Sequence, residues 1–344
     1  MNTYTHNTGA FIGKGGCEIF FQSWSVQSPK AIVVIAHGVG EHSGRYFPLA
    51  EDLTAKKISV YALDHRGHGR SGGKRGHIDS FSDYIYDLKH FIDYVSEEGG
   101  KTPLILLGHS MGGVIALKYG LTHPGDMASL IISSPGLVPA FKIPRVKTGM
   151  AGFFSKYIPS LPTPSGLKTE DLSQDPAVVE DYENDPLVHN KVTPRWFTEF
   201  TAASTECMNR AGEIKIPTLL FHGDDDKICD YKATVQIYEQ LSSKVKELKI
   251  FEGLYHEAHN EIPEERKKVI DLIIKWIENF SGAKKTVSAK KAAAKKKSPG
   301  PTVKKKTKSS PAKKSSAGKK TPSKPGKKAA AKKTKPGSGG KRKK

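Results

Sequence analysis

The chain has 344 residues, with 55 Lys and Arg against 35 Asp and Glu, for a formal net charge of +20. That charge is divided: 25 of the basic residues and none of the acidic ones lie in residues 283–344, so residues 1–282 hold 30 basic against 35 acidic and carry a net −5. A basic nucleic-acid-binding body is thereby excluded. So is a cysteine scaffold, because Cys17, Cys207 and Cys229 are odd in number and lack zinc or disulfide spacing. The N-terminus has no apolar core of a secretory signal, and no apolar run approaches the roughly 20 residues of a membrane span, which predicts a cytoplasmic protein.

Apolar, β-branched runs alternate with amphipathic stretches along residues 1–282. Strands are expected at Glu18–Trp24, Ala31–Ala36, Ile58–Leu63, Pro103–Leu107, Ser129–Ser133, Thr218–Phe221 and Glu247–Phe251. Helices are expected at Tyr46–Lys57, Phe81–Glu97, Met111–Thr122, Tyr231–Leu241 and Pro263–Phe280. The continuous apolar strands suit a sheet buried on both faces. The alternation predicts an α/β domain with a mostly parallel twisted sheet flanked by helices, with ligands outside the carboxyl ends of the strands. One stretch, about 137–206, breaks the rhythm with many prolines and with Phe153, Phe154, Tyr157, Ile158, Leu161, Trp196 and Phe197. It reads as a helical cap inserted in the domain, its apolar side facing a binding site.

Gly108-His109-Ser110-Met111-Gly112 fits G-x-S-x-G, follows the run Pro103–Leu107 and opens a helix rich in small residues. In that context it reads as a nucleophile elbow, with Ser110 held at the tip of a sharp turn. A serine hydroxyl needs a base, and the base an orienting acid. Thr218–Phe221 runs into His222-Gly223-Asp224-Asp225-Asp226, with Asp230 close behind. The Gly-x-x-Asp spacing favours Asp226 as the acid, while Asp224 and Asp225 suit a turn. After Glu247–Phe251 come His256 and His259, and His256, nearer the strand end, is the better base. An oxyanion needs backbone donors. Met111 follows the nucleophile, and Val39 lies in the glycine loop His37-Gly38-Val39-Gly40. His65, His68, His77 and Asp79 could suggest a metal, but the turn at Gly67 and Gly69 explains that composition, and no metal or cofactor is required.

Several segments together resemble the monoacylglycerol lipase and lysophospholipase family of α/β-hydrolases. They are His37–Tyr46, Asp64–Ser71, Gly108–Gly113, Tyr182–Leu187 and Ile228-Cys229-Asp230, and the likeness spans residues 15–280. The resemblance implies the α/β-hydrolase fold with a mobile cap that touches a membrane surface, and cleavage of a monoacylglycerol to fatty acid and glycerol. Lysophospholipase or general carboxylesterase activity is the nearer alternative. A nucleic-acid-associated interaction protein with a vestigial hydrolase body is the more distant one. The resemblance carries the nucleophile, acid and base onto Ser110, Asp226 and His256, and the oxyanion donors onto Val39 and Met111. Mammalian members have alanine where Val39 stands, so a bulkier side chain borders the acyl entrance. Cys229 matches a cysteine near the site in relatives.

Residues 283–344 hold no aromatic residue and no Leu, Ile or Met, so they can build no core and are expected to form a disordered polybasic tail. The Lys-Ala runs and the Ser-Pro and Lys-Pro repeats look like the C-terminal domain of linker histones. Such a tail suits nucleic acid, with an anionic membrane as its rival.

Overall fold

The computed structural model describes residues 4–142, 145–281 and 304–306. In chain order the sheet strands are β1 (Thr5–Ile12), β2 (Glu18–Ser25), β3 (Ala31–Ala36), β4 (Ile58–Leu63), β5 (Leu104–His109) and β6 (Ser129–Ser133). The two-residue strands β7 (Thr163–Pro164) and β8 (Lys191–Val192) pair apart from the sheet, and β9 (Thr218–Gly223), β10 (Lys246–Phe251) and β11 (Lys304–Lys306) complete it. The helices are α1 (Phe47–Ala55), α2 (Ser82–Gly99), α3 (Met111–Thr122), α4 (Arg145–Tyr157), α5 (Pro176–Asn184), α6 (Pro194–Arg210), α7 (Tyr231–Gln240) and α8 (Pro263–Glu278).

The sheet order is β10-β9-β6-β5-β3-β4-β2-β1-β11. Strands β10 through β4 run parallel, and β2 and β1 are added antiparallel. Because side chains alternate along a strand, β3 feeds both cores: Ile32 and Val34 join the cluster under α2, α3 and α7, while Ala31, Val33 and Ile35 join the one under α1 and α8. Burial on both faces explains why β3, β4, β5, β6 and β9 read as unbroken apolar runs.

Two differences from the sequence reading concern the sheet edge. β1 was not expected, since Thr5, His6, Asn7, Thr8 and Gly9 carry little strand signal, yet it pairs with β2 along its full length. It pairs along one edge of β2 and packs Phe11 near Phe21 in the core, a tertiary gain that local propensity does not register. No element was expected in the tail, yet Lys304–Lys306 pairs antiparallel with β1, Gly9 opposite Lys305. An edge strand presents unpaired backbone N–H and C=O groups, and pairing with them is indifferent to side-chain charge. The rest of the expected tail, 283–303 and 307–344, lies outside the described residues.

The expected insertion falls between β6 and β9 and comprises α4, β7, α5, β8 and α6. α5 and α6 open with proline in their first turns, and Asp175 and Thr193 cap them by accepting the N–H groups of Ala177 and Trp196. α3 sits at the centre of the molecule, almost wholly buried. Its first turn lies against the carboxyl end of β3 so closely that a Cβ on Gly112 would collide with the Ala36 carbonyl oxygen, and one on Gly108 with that of Gly112.

Gly112→Ala is therefore expected to cost about 3 kcal/mol, the upper end for overpacking a core. Gly125→Ala, where nothing lies within 4 Å of an added Cβ, should be near neutral. Equal denaturation midpoints for the two variants would contradict this account of the α3–β3 contact.

Candidate active site

β5 ends at His109, and the chain turns into α3 through Ser110, which takes φ 54° and ψ −116°. A non-glycine residue at positive φ is strained, and the strain is held by bonds on both sides. The Ser110 N–H donates to the Ser133 carbonyl at 3.0 Å, and the Gly136 N–H donates to the Ser110 carbonyl at 3.0 Å. The hydroxyl stands at the N-terminus of α3, where backbone N–H groups have no helical partner.

His256 follows β10 and reaches both other members of the expected set. Its Nε2 lies 2.9 Å from Ser110 Oγ, and its Nδ1 lies 2.6 Å from Asp226 Oδ2. All three residues are buried. An ionised carboxylate only accepts, so His256 carries its proton on Nδ1 and presents a bare Nε2 to the serine hydroxyl. Asp226 Oδ1 accepts the N–H groups of Ile228 and Cys229 at 2.8 and 2.9 Å. Oδ2 accepts from His222 Nε2 at 2.8 Å as well as from His256. Burial alone would raise the Asp226 pKa, but the two imidazoles beside it hold the carboxyl well below the usual carboxylate range. Burial opposes a charged His256, yet the Asp226 carboxylate outweighs it and raises the pKa above the ordinary 6.5.

The neighbouring candidates are occupied elsewhere. Asp224 Oδ1 accepts the Gly253 N–H at 2.6 Å, Asp225 faces Lys227 at 3.4 Å on the surface, and Asp230 caps α7. His259 is stacked on Tyr46, with ring centroids 5.3 Å apart.

The loop 37–40 runs beside the serine: a Cβ added to Gly38 would lie 3.3 Å from Ser110 Cβ. The Gly38 N–H donates to Glu41 Oε1 at 2.5 Å, which tightens the loop and leaves the Val39 N–H as the next donor along it. Glu41 also accepts from Tyr46 Oη at 2.9 Å and from Arg45 Nη1 at 2.9 Å. Arg45 then grips Glu257, the neighbour of His256, through both terminal nitrogens at 2.6 and 2.8 Å. The pair is bidentate and buried, and despite burial Arg45 holds Glu257 down to about 2. One guanidinium thus ties the glycine loop to the histidine loop. The insertion joins the same cluster: His42 Nε2 lies 2.8 Å from Asp185 Oδ2, Tyr182 lies under Arg45 at 4.6 Å, and His189 N donates to the Gly40 carbonyl at 2.9 Å.

His65, His68, His77 and Asp79 do not gather as one set among the described residues; only His77 Nε2 and Asp79 Oδ1 approach, at 3.4 Å. His65 and His68 pack on His37, while His77 bonds Thr193 Oγ1 at 2.9 Å. Among the described residues, Asp226, Cys229 and His256 bring donor atoms within 4.8 Å of one another. The Asp226 oxygens there are already saturated by four N–H donors, and burial pushes the Cys229 thiol up, so a hydrogen-bonded acid suits the group better than a metal. Sequence reasoning missed His222, Glu41, Arg45 and Glu257. A histidine closing β9 four residues before the acid was the available signal for the first. The Arg45–Glu257 pair is 212 residues apart and left none.

The family described as serine aminopeptidase, S33, matches residues 27–263. A monoacylglycerol lipase of Mycolicibacterium smegmatis is 35% identical over 279 residues, covering 80% of this chain and 99% of that protein. The monoglyceride lipase of Homo sapiens is 32% identical over 280 residues, covering 80% and 92%. The crystal structure of the monoacylglycerol lipase of Paleococcus ferrophilus superposes with a TM-score of 0.69 at 32% identity, covering 76% of this chain and 99% of that one.

Burial holds His65, His68 and His109 well below their ordinary pKa, and His259 at about 4. Below about pH 6.5 the unfolded chain takes up protons that the folded one refuses, so stability falls as the pH drops. His256, raised instead, contributes fully below 6.5 and adds no slope there. His259 alone accounts for about 3 kcal/mol once the pH is below 4. The Tm should fall steadily between pH 7 and 4; a flat profile would overturn this reading of the buried imidazoles.

Proposed function

The chain belongs to the monoacylglycerol lipase family of α/β-hydrolases, and we propose that it cleaves monoacylglycerols to fatty acid and glycerol through an acyl-serine intermediate. The observation that carries this reading is the placing of His256 between Ser110 Oγ at 2.9 Å and Asp226 at 2.6 Å, at the tip of a strained strand–helix turn. Ser110 Oγ attacks the ester carbonyl as its proton passes to His256 Nε2. The negative oxygen accepts the N–H groups of Val39 and Met111. The tetrahedral intermediate collapses and glycerol leaves with the proton from His256. Water, deprotonated by His256, then attacks the acyl-serine, and the second tetrahedral intermediate collapses as His256 returns that proton to Ser110 Oγ and the fatty acid is released. Asp226 stays ionised throughout and stabilises the imidazolium.

A single-chain lipid ester is supported by the relatives, which are named for that substrate, and by the cap surface. Phe141, Met150, Phe153, Tyr157, Ile158 and Leu161 are all exposed on the insertion. Large apolar side chains clustered in this way suit transient contact with a membrane surface from which the substrate is taken. Among the described residues no helix is long and apolar enough to cross a membrane.

Ser110→Ala should lower turnover of both a monoacylglycerol and a short-chain nitrophenyl ester by about 10⁴-fold or more while the protein stays folded. Retained hydrolysis of the nitrophenyl ester would remove the serine from this role.

The polybasic residues 283–344 are assigned to a polyanion, with nucleic acid preferred and anionic membrane as the alternative. The support is 25 positive charges with no acidic residue among them. Phosphate neutralisation releases counterions, so affinity must fall steeply with salt. The full chain is expected to retard duplex DNA at low salt and release it at high salt, and a chain ending at Gly282 to do neither. Absence of retardation at low salt would exclude the nucleic-acid assignment, and binding to anionic vesicles alone would select the membrane.

A further inference from the structure

The Asp226 carboxylate accepts one more donor than the reaction uses. Oδ1 takes two backbone N–H groups, and Oδ2 takes two imidazoles, His256 at 2.6 Å and His222 at 2.8 Å. His222 is fully buried at the carboxyl end of β9. Its second ring nitrogen, Nδ1, lies 2.7 Å from Thr234 Oγ1, a buried hydroxyl on α7.

The protons in this chain follow from what each atom can do. Ionised Asp226 only accepts, so the His222 nitrogen facing it carries the hydrogen. In the neutral ring Nδ1 is then bare, and it accepts the Thr234 hydroxyl proton. One directed sequence results: Thr234 Oγ1–H to His222 Nδ1, His222 Nε2–H to Asp226 Oδ2, and on the far side His256 Nδ1–H to the same oxygen. No atom in it is left without a partner.

We propose that His222 is a positioning residue for the ester hydrolysis, holding Asp226 in line with His256 and moderating the basicity of His256 by sharing the carboxylate oxygen on which it depends. The inference rests on the ester-hydrolase reading of Ser110, Asp226 and His256. Two effects follow from the geometry. A carboxylate on a loop is free to rotate about its Cα–Cβ and Cβ–Cγ bonds, and a fourth donor anchored to a strand fixes that rotation. A donor on Oδ2 also draws charge from the oxygen that stabilises the imidazolium of His256. The other titratable and charged groups round the pair are His109 on β5, His259 and Glu257 on the histidine loop, Glu41 and Arg45 on the glycine loop, and Cys229 beyond the acid. Each of these stands in every variant below, so a change in the pH profile reports on His222.

The test compares His222→Phe, which keeps a ring in the cavity but offers no donor, with His222→Gln, whose amide N–H reaches to about the same place. Turnover of a short-chain nitrophenyl ester is followed against pH. His222→Phe is expected to lose about 10–100-fold in kcat, the scale of a misaligned catalytic group, with KM changed little. The acid limb of its kcat/KM profile should move upward, because Asp226 then acts undivided on His256. His222→Gln should restore most of both. Thr234→Val removes the donor that fixes the His222 tautomer, so a bare Nε2 can turn toward Asp226; a several-fold loss of kcat is expected. This variant keeps the question open to measurement if His222→Phe does not fold. The low-field proton resonance of His256 Nδ1–H, read without substrate, should shift in His222→Phe and return in His222→Gln. Unchanged kcat and acid limb in folded His222→Phe, or equal losses in Phe and Gln variants, would overturn the positioning role. An inactive wild-type protein would instead overturn the ester-hydrolase reading itself, which keeps the two failures apart.

Discussion

The site depends on the closeness of α3 to the carboxyl ends of β3 and β5. With an added Cβ at Gly112 colliding with the Ala36 carbonyl, the helix can approach only where side chains are absent. The same approach forces the chain to reverse at Ser110 in a conformation that a serine avoids when free. It also sets Ser110 at the N-terminus of α3, and it lays the loop 37–40 alongside. Ser110, helix terminus and glycine loop are therefore one packing solution, and a change in any of them disturbs the other two.

The second constraint is electrostatic. Glu41, Arg45 and Glu257 form a buried cluster that a hydrophobic substitute of similar volume could match in stability. What an apolar cluster could not supply is direction. Arg45 meets Glu257 with two parallel bonds, and Glu41 holds the Gly38 N–H. The loop that presents the Val39 N–H and the loop that carries His256 are thereby set against one another at fixed distance. Loops far apart in sequence hold a mutual geometry only when something rigid spans them, and here the span is a single guanidinium.

Much of this was legible in the sequence because it is local. A strand buried on both faces writes itself as a continuous apolar run, so β3, β4, β5, β6 and β9 could be read to within a residue or two. The elbow was legible because strand, glycines and serine are contiguous. Asp226 could be preferred over Asp224, Asp225 and Asp230 only through spacing, since the distinction lies in which carboxylate meets a histidine 30 residues away. β1 was invisible because its polar, glycine-containing sequence is a strand only when β2 is beside it. The pairing of Arg45 with Glu257 and the approach of His222 to the acid exist only once the sheet has brought β3, β9 and β10 into order. The helices of the insertion were legible as a break in the strand–helix rhythm but not as elements, because proline-rich connections interrupt the periodicity that would have marked them.

The same placement explains why His256, unlike His109 and His259, is raised above its ordinary pKa. His109 lies tilted against His256, with ring centroids 4.8 Å apart, and edge-on to His259 at 4.9 Å, and all three are buried. Burial disfavours charge on each, and charge on one disfavours it on the others. The difference lies in the carboxylates: Asp226 touches His256 directly, with Glu257 and Glu41 adding to its attraction. Among the described residues neither neighbouring imidazole makes a hydrogen bond to a carboxylate, and burial keeps both below the ordinary range. In the proposed reaction a proton leaving Ser110 would therefore meet a single favourable destination, and the imidazolium would be held by groups fixed before the reaction begins. The +20 of the whole chain sums +25 beyond residue 282 and −5 before it, whereas the charges named here are the few that the fold has removed from water.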